Sequence, residues 1–248
     1  MKSGISPEGI KYAVRQSYGK VAYTALSVRS GTVVEDGKYP EGLAHFVEHT
    51  IFKGTTRKSA SKISSYLDSL GGELNAYTSK EDITFHATVL KDDILKAADL
   101  LFELATDATF PSAEVEKEKG VVIDEIDTYR DSPSEDIYDV FEEKLFAGHP
   151  LSKRILGTEE SVRSITSEQL VAFRKEFFVP ANTAFVIVAP YKEEYLERLV
   201  LRLTRKYYST AHPEGCDPVA EALPKVKDVH IFKYYKPFFE KVNKDNNL

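Results

Sequence analysis

Two histidines four residues apart, His45 and His49, are the residues whose types and spacing point most directly to chemistry. On a helix, side chains at positions i and i+4 lie on the same face, one turn apart. Two imidazoles in that arrangement can reach one tetrahedral metal ion at the roughly 2.0–2.1 Å of a zinc–nitrogen bond. Glu48 lies three residues after His45 and leans toward the same face, within reach of water at the metal. The segment therefore predicts a metal site.

The two histidines are expected on a helix over residues 41–53, because Pro40 suits the start of a helix and Gly54 suits its end. The other positions of this segment are largely apolar: Leu43, Ala44, Phe46, Val47, Ile51 and Phe52. The competing interpretation is a surface helix that carries two solvated histidines. A helix with so many apolar positions is expected to be buried, which favours the metal site.

A catalytic zinc ion takes three protein ligands and leaves a fourth position open for water. After two histidines, the usual third ligand is a carboxylate from another helix, and Glu125 is the candidate, 76 positions after His49. It lies in an apolar stretch, 121–126, where an unpaired charge would be costly to bury. The alternative is an ordinary carboxylate on a helix surface. Glu118, two turns earlier on nearly the same face, can point into the same pocket, and it is equally compatible with a solvated charge.

Composition and charge describe an ordinary soluble protein, with 42% hydrophobic residues, 29% charged residues and a net charge of −6. An acidic chain without a basic stripe is not expected to bind nucleic acid. The single cysteine, Cys216, excludes an intrachain disulfide and a zinc site built from several thiolates. The 248 residues show neither a secretory signal nor an apolar run that could span a membrane. A cytoplasmic setting without membrane contact is therefore expected.

Hydrophobic periodicity predicts an α+β fold, with helices packed against a mostly antiparallel sheet. Besides the helix at 41–53, helices are expected at 59–70, 91–107, 112–129, 135–147, 166–177 and 192–205. Strands are expected at 10–15, 21–29, 75–78, 83–90, 183–189 and 229–235, followed by a polar tail at 236–248 that is either flexible or a truncation point.

Several stretches resemble the M16 metallopeptidases, the family of pitrilysin, insulin-degrading enzyme and the mitochondrial processing peptidase. The order His-x-x-Glu-His is the inverzincin signature, and residues 42–55 look like the zinc-site helix of that family. Residues 71–79 resemble its glycine turn and substrate-binding edge strand. Residues 121–125 resemble its distal zinc-ligand helix, and 149–158 resemble a further family stretch. The similarity extends from about residue 9 to residue 189.

The resemblance implies the metallohydrolase fold of LuxS and the processing peptidases, with one zinc ion per chain. The implied zinc ligands are His45, His49 and Glu125. Glu48 is implied to be the general base of peptide-bond hydrolysis, and Glu118 a supporting acidic residue at the catalytic site. Asn75 and Ala76 are implied to lie on an edge strand to which an extended peptide substrate adds. The alternative is that these two residues belong to an ordinary paired strand.

Members of the family usually carry two or more related domains of about this size, which close over the substrate, and the later half supplies an Arg and a Tyr. This chain is expected to form a single zinc-binding domain over 1–248, equivalent to the N-terminal half of a typical member. Tyr129 and Arg130 do not match the missing pair. The resemblance thus implies a second M16-type domain or a homologous subunit as a partner. The alternatives to a self-sufficient peptidase are a half-enzyme that needs this partner and a non-catalytic subunit.

Overall fold

A computed structural model describes residues 1–69 and 71–209, and one six-stranded sheet runs through them. The strands are β1 (Lys2–Ile5), β2 (Lys11–Gln16), β3 (Val21–Val28), β4 (Glu73–Thr78), β5 (Ile83–Leu90) and β6 (Thr183–Ala189). Their order in the sheet is β1-β2-β6-β3-β5-β4. Neighbouring strands are antiparallel except for β2 and β6, which are parallel. The predicted α+β fold with a mostly antiparallel sheet is confirmed.

Eight α-helices surround the sheet in the described part of the chain. They are α1 (Leu43–Thr50), α2 (Ala60–Ser69), α3 (Ile94–Asp107), α4 (Ser112–Arg130), α5 (Pro133–Leu145), α6 (Glu159–Ser164), α7 (Ser167–Phe177) and α8 (Glu193–Tyr208). Short 3-10 helices occur at Thr32–Glu35, Ile51–Lys53, Lys91–Asp93, Pro150–Ser152 and Pro180–Asn182. Among residues 1–69 and 71–209, no helix combines the length and the apolarity that crossing a bilayer requires.

The core lies where helices cover the sheet. Helix α3 packs on β3 and β5, α8 packs on β2 and β6, and the two helices contact each other. Phe102 of α3 meets Phe185 of β6 with ring centroids 4.7 Å apart, and both side chains are fully buried. Helix α1 contacts β4 and β5, and α4 packs against α1. The sheet therefore supports α1 from one side and α4 closes over it from another.

Besides the 3-10 helices, one described strand and one described α-helix were not expected from the sequence. Strand β1 has four residues and no fully buried one, so its pairing with β2 leaves little hydrophobic signal. Helix α6 has six residues, which is too short for a visible 3.6-residue period, and a reciprocal capping box between Thr158 and Ser161 starts it. The helices predicted at 41–53 and 91–107 are each shorter than expected, because their ends at 51–53 and 91–93 are 3-10 turns.

The remaining predicted elements are found with shifts of a few residues at their ends. Strand β4 begins two residues earlier than expected, and α8 ends three residues later. Leu70, Cys216, the strand predicted at 229–235 and the tail at 236–248 lie outside the described residues.

Two glycines hold the N-terminus of α1 against the loop that precedes α6. Gly42 has φ +86°, and a Cβ there would lie 2.5 Å from the carbonyl oxygen of Leu156. Gly157 has φ +72°, and a Cβ there would lie 2.2 Å from the carbonyl oxygen of Glu41. Both positions combine a left-handed conformation with direct backbone contact, so glycine is required at each. The Ser161 hydroxyl donates to the Glu41 carbonyl at 2.6 Å and completes this contact.

Candidate metal centre

Helix α1 presents both histidines from one face, as the four-residue spacing predicts. The imidazole centroids of His45 and His49 are 4.6 Å apart. The helix is buried along its apolar side, and His45 is only 6% exposed. The competing interpretation of two solvated histidines is therefore wrong for His45, and His49 is itself only partly exposed.

Glu125 of α4 completes a three-residue cluster with the two histidines. Its Oε2 lies 3.2 Å from Nε2 of His49 and 3.7 Å from Nε2 of His45. One ligand atom from each of the three residues lies within 4.8 Å of the others. Ligands about 2.05 Å from a tetrahedral zinc ion are about 3.4 Å apart. The donor set and its spacing therefore fit zinc, with one carboxylate and two imidazoles.

Burial and charge favour the metal-binding protonation states of His45 and Glu125. Burial, with a smaller contribution from His49, lowers the pKa of His45 to about 4, although Glu125 opposes this shift. His45 is thus neutral near pH 7, and its Nδ1 is buried without a hydrogen-bond partner in the described part of the chain. A hydrogen bond with His49 lowers the pKa of Glu125, although burial opposes this. A neutral imidazole and an ionised carboxylate are the ligating forms.

Glu118 of α4 lies behind His49 and is 8% exposed, so the interpretation of a solvated surface charge is wrong. Its Oε1 lies 3.1 Å from Nδ1 of His49, and its Oε2 lies 2.8 Å from Nζ of Lys53. Nδ1 of His49 donates to this carboxylate when it carries the proton, which leaves the Nε2 lone pair for a metal. Burial opposes protonation of His49, but hydrogen bonds to Glu125 and Glu118 raise its pKa overall.

Glu48 lies on α1 beside the ligand cluster and is held by the sheet. The hydroxyl of Thr78, the last residue of β4, donates to Oε2 of Glu48 at 2.6 Å. Burial raises the pKa of Glu48, although the Thr78 hydrogen bond and the charge of His49 oppose the shift. The second carboxylate oxygen, Oε1, takes no part in that contact. Glu48 is thus a carboxylate of raised basicity next to three potential metal ligands.

Asn75 and Ala76 lie in the middle of β4, at the outer edge of the sheet. Among the strands of residues 1–69 and 71–209, β4 pairs with β5 alone, and Asn75 is exposed. The side-chain oxygen of Asn75 accepts a hydrogen bond from the backbone N–H of Ala76 at 2.9 Å. The same strand ends at Thr78, the residue that contacts Glu48. The edge strand is therefore joined to Glu48 on α1, the helix that carries both histidines.

Three residues in contact with this region were not identified from the sequence. Lys53 lies four residues after His49, a spacing that could have predicted its position on the same side. Thr78 lies in the stretch 71–79, whose resemblance was noted without a role for this hydroxyl. Glu35 stands in a polar run that suggests an exposed loop, yet it is fully buried against the N-terminus of α1.

Comparisons of the chain with known proteins agree on one family. Residues 11–159 match the sequence profile described as Insulinase (Peptidase family M16). The chain is 36% identical over 181 residues to mitochondrial-processing peptidase subunit beta of Dictyostelium discoideum. The aligned residues make up 69% of this chain and 38% of that relative. It is 33% identical over 179 residues to the uncharacterized zinc protease YmxG of Bacillus subtilis, and these residues make up 70% of this chain and 44% of YmxG. The chain thus spans about two fifths of the length of these relatives.

Solved structures share the fold. A putative M16-like peptidase from Alicyclobacillus acidocaldarius superposes with a TM-score of 0.73 at 25% identity, over 83% of this chain and 49% of that one. The periplasmic protease PqqL of Escherichia coli superposes with a TM-score of 0.78 at 23% identity, over 87% and 25%. Together with the match over residues 11–159, which confirms the resemblance predicted from the sequence, these findings show that the chain belongs to the insulinase family of peptidases, M16.

Proposed function

We propose that this chain is the zinc-binding domain of a metalloendopeptidase that hydrolyses peptide bonds in peptides or unfolded segments. The observation that carries the proposal is the convergence of His45, His49 and Glu125 with the carboxylate of Glu48 beside them. The names of the relatives, a processing peptidase and zinc proteases, support the same activity. We assign one zinc ion per chain to the three ligands.

Each residue at the site has a separate role in the proposed reaction. When bound, zinc supplies a Lewis acid that lowers the pKa of a coordinated water to about 7. Glu48 accepts a proton from the attacking water, and the raised pKa of its carboxyl makes it a stronger base for this step. Thr78 fixes the orientation of Glu48 through the bond to Oε2. Glu118 keeps His49 in the orientation and tautomer that metal binding requires.

The edge strand β4 is the proposed substrate-binding element. An extended peptide can add to an unpaired strand edge through main-chain hydrogen bonds, which read the backbone and tolerate many side chains. Among the described strands, only β5 pairs with β4, so its outer edge is available for this addition. Asn75 and Ala76 lie at the centre of that edge, in the same strand as Thr78. A peptide bound there is next to Glu48.

Metal analysis and peptide cleavage test the proposal with Glu48→Gln. The purified chain is expected to hold one zinc ion, to lose it to a chelator, and to cleave an unstructured fluorogenic peptide only with zinc. Glu48→Gln keeps the ligands and should retain zinc while kcat falls by roughly 10²- to 10⁴-fold. Glu116→Gln, an exposed glutamate on α4, is the control and should leave both unchanged. A chain that rejects zinc, or a Glu48→Gln variant with near-normal turnover, contradicts the proposal.

A second candidate is a half-enzyme that binds zinc and peptide but turns over only with a partner. The observation that favours it is coverage, since the chain spans 38% and 44% of the first two relatives. The relative from Dictyostelium is named as a subunit, which agrees with a partner of the same family. In this version the partner is a second M16-type domain or a homologous subunit, and residues 1–248 correspond to the N-terminal half. A non-catalytic subunit is the remaining alternative, and the presence of Glu48 and all three ligands argues against it.

A further inference from the structure

Glu35 is a buried carboxylate that the proposed reaction does not use. It ends the 3-10 turn Thr32–Glu35 and has 0% exposure. Its Oε1 accepts the backbone N–H of Ala44 at 2.6 Å, and its Oε2 accepts the backbone N–H of Gly42 at 3.0 Å. Both carboxylate oxygens are therefore bound to the first turn of α1, the helix that carries the two histidines.

Helix α1 has no cap of its own. The residue at its N-cap position is Gly42, in a left-handed conformation, and it has no side chain to accept the free N–H groups. The first N–H groups of a helix need acceptors. Glu35 supplies two of them from a different segment. The residue that follows the bonded Ala44 is His45, so the carboxylate holds the turn that carries this ligand.

Glu35 is itself held rigidly. Its backbone carbonyl accepts the N–H groups of Lys38 and Tyr39, each at 2.9 Å. At the start of the same turn, Val33 donates to the carbonyl of Lys80 at 2.9 Å. A Cβ on Gly31 would lie 2.4 Å from the Lys80 backbone, so the two segments are in direct contact. The carboxylate therefore joins α1 to the turn between β4 and β5.

We propose that Glu35 is a positioning residue for the metal centre, which fixes the first turn of α1 and thereby holds His45 in place for zinc. This inference rests on the proposed function, because it needs zinc at His45, His49 and Glu125. A rigid first turn places the buried imidazole before the metal arrives, which raises affinity.

The test compares two buried glutamates. Glu35→Gln keeps the shape but replaces one acceptor oxygen by an NH2 group, which cannot accept a hydrogen bond from the backbone. Glu103→Gln is the matched control, since Glu103 is 1% exposed, accepts from the Thr55 hydroxyl at 2.7 Å, pairs with Lys58 and has no contact with the first turn of α1. Zinc affinity is measured by competition with a chromogenic chelator, well below the unfolding temperature of each variant. Absorption spectra of the cobalt-substituted chains report the ligand geometry.

Glu35→Gln is expected to bind zinc roughly 10- to 100-fold more weakly than the original chain and to change the cobalt spectrum. The zinc affinity of Glu103→Gln should remain within about threefold of that of the original chain, even if this substitution lowers the unfolding temperature as much as Glu35→Gln does. Equal affinities of Glu35→Gln and the original chain, or an equal loss in Glu103→Gln, would overturn the inference. If the original chain fails to bind zinc, the proposed function fails first, so the two failures are distinguishable.

A second measurement covers the case in which Glu35→Gln does not fold. Amide hydrogen exchange of the original, metal-free chain should show Gly42 and Ala44 protected, because Glu35 holds both N–H groups before any metal binds. Exchange of Ala44 at the rate of an unstructured peptide would show that the first turn is not held, and it would end the proposal.

Discussion

At the scale of single residues, the ligands and the groups that orient them divide into two kinds. His45, His49 and Glu125 converge on one point, whereas Glu118 contacts His49 from the other side of its ring. The sequence suggested the pocket for Glu118 but left its role open between a supporting acid and a solvated charge. The contact with Nδ1 makes it a positioning group in our proposal. Loss of a ligand and loss of a positioning group should therefore differ in their effects on zinc affinity and kcat.

Substitution of Glu125 should reduce zinc binding before it affects any chemistry. Glu125→Gln removes the one anionic ligand, so zinc affinity should fall by more than the roughly 10- to 100-fold that follows loss of a ligand's hydrogen-bond partner. Chelator competition measures the change. Asp124→Asn, at the exposed neighbouring position, is the control and should bind as the original chain does. Full zinc stoichiometry in Glu125→Gln after dialysis against a mild chelator would remove Glu125 from the ligand set.

Substitution of Glu118 separates a positioning role from a catalytic one. Glu118→Ala removes the acceptor for Nδ1 of His49, so zinc affinity should fall roughly 10- to 100-fold. When zinc is supplied in excess, kcat should recover to within about tenfold of the original value, because this carboxylate does not contact the reacting atoms. Glu114→Ala on the same helix is the control. A kcat that stays as low as in Glu48→Gln at saturating zinc would make Glu118 a catalytic group.

At the scale of elements, α1 is a helix whose sequence accounts for its burial but not for its start. Its apolar positions recur with helical spacing and are buried, as predicted. Its first turn depends on Glu35 and on the close contact of Gly42 with Leu156, which come from outside the helix. The 3-10 turn Thr32–Glu35 therefore belongs to the metal centre as much as α1 does.

The burial of Glu35 predicts a pH dependence of stability. Burial raises the pKa of Glu35 to about 8 from 4.5, although hydrogen bonds from Ala44 and Gly42 oppose the shift. The folded chain therefore holds this proton more tightly than the unfolded chain between those values. The contribution is fully present below pH 4.5 and is lost as the pH rises through about 8, with a slope of at most about 1.4 kcal/mol per pH unit.

Denaturant unfolding of the metal-free original chain and of Glu35→Gln, from pH 5 to pH 8, isolates this contribution. The difference in free energy of unfolding, original minus variant, should decrease with rising pH, because other titrating groups are common to both chains. A difference that is constant or increases with pH would show that Glu35 is ionised in the fold throughout this range.

At the scale of the whole molecule, the described residues form one α+β unit that corresponds to part of its relatives. The alignments cover about two fifths of the processing-peptidase subunit and of YmxG. The metal ligands, Glu48 and the edge strand β4 all lie within this unit. The family resemblance assigns an Arg and a Tyr of the reaction to a later half. Zinc binding and turnover are therefore separable properties in our proposal.

Mixing experiments should show that separation. The chain alone is expected to bind zinc with low turnover, and a second M16-type domain, supplied as the part of YmxG that this chain does not cover, should raise kcat/KM at least about tenfold. Native mass spectrometry of the mixture measures the complex. The same mixture made with Glu48→Gln is the control, and it should stay inactive. Full activity of the chain alone, unchanged by the added domain, would favour a self-sufficient peptidase.

The sequence by itself determined the local parts of this protein. A four-residue spacing places His45 and His49 on one face of α1, because helix geometry depends only on neighbours along the chain. Amphipathic periods likewise predicted α2 and α3, alternation predicted several of the strands, and start and stop residues predicted α4. The apolar surroundings of Glu125 made it the candidate third ligand, and the family resemblance implied the same role and added the edge strand at 75–76.

Only the tertiary structure decided which distant groups meet. Strand β6 pairs with both β2 and β3, which separates two strands that follow each other in sequence. Lys53 meets Glu118, Thr78 meets Glu48, and Glu35 closes the N-terminus of α1. No periodicity encodes these contacts, because they depend on how whole elements pack. A polar residue such as Glu35 reads as exposed until the fold provides two backbone N–H groups that make its burial favourable.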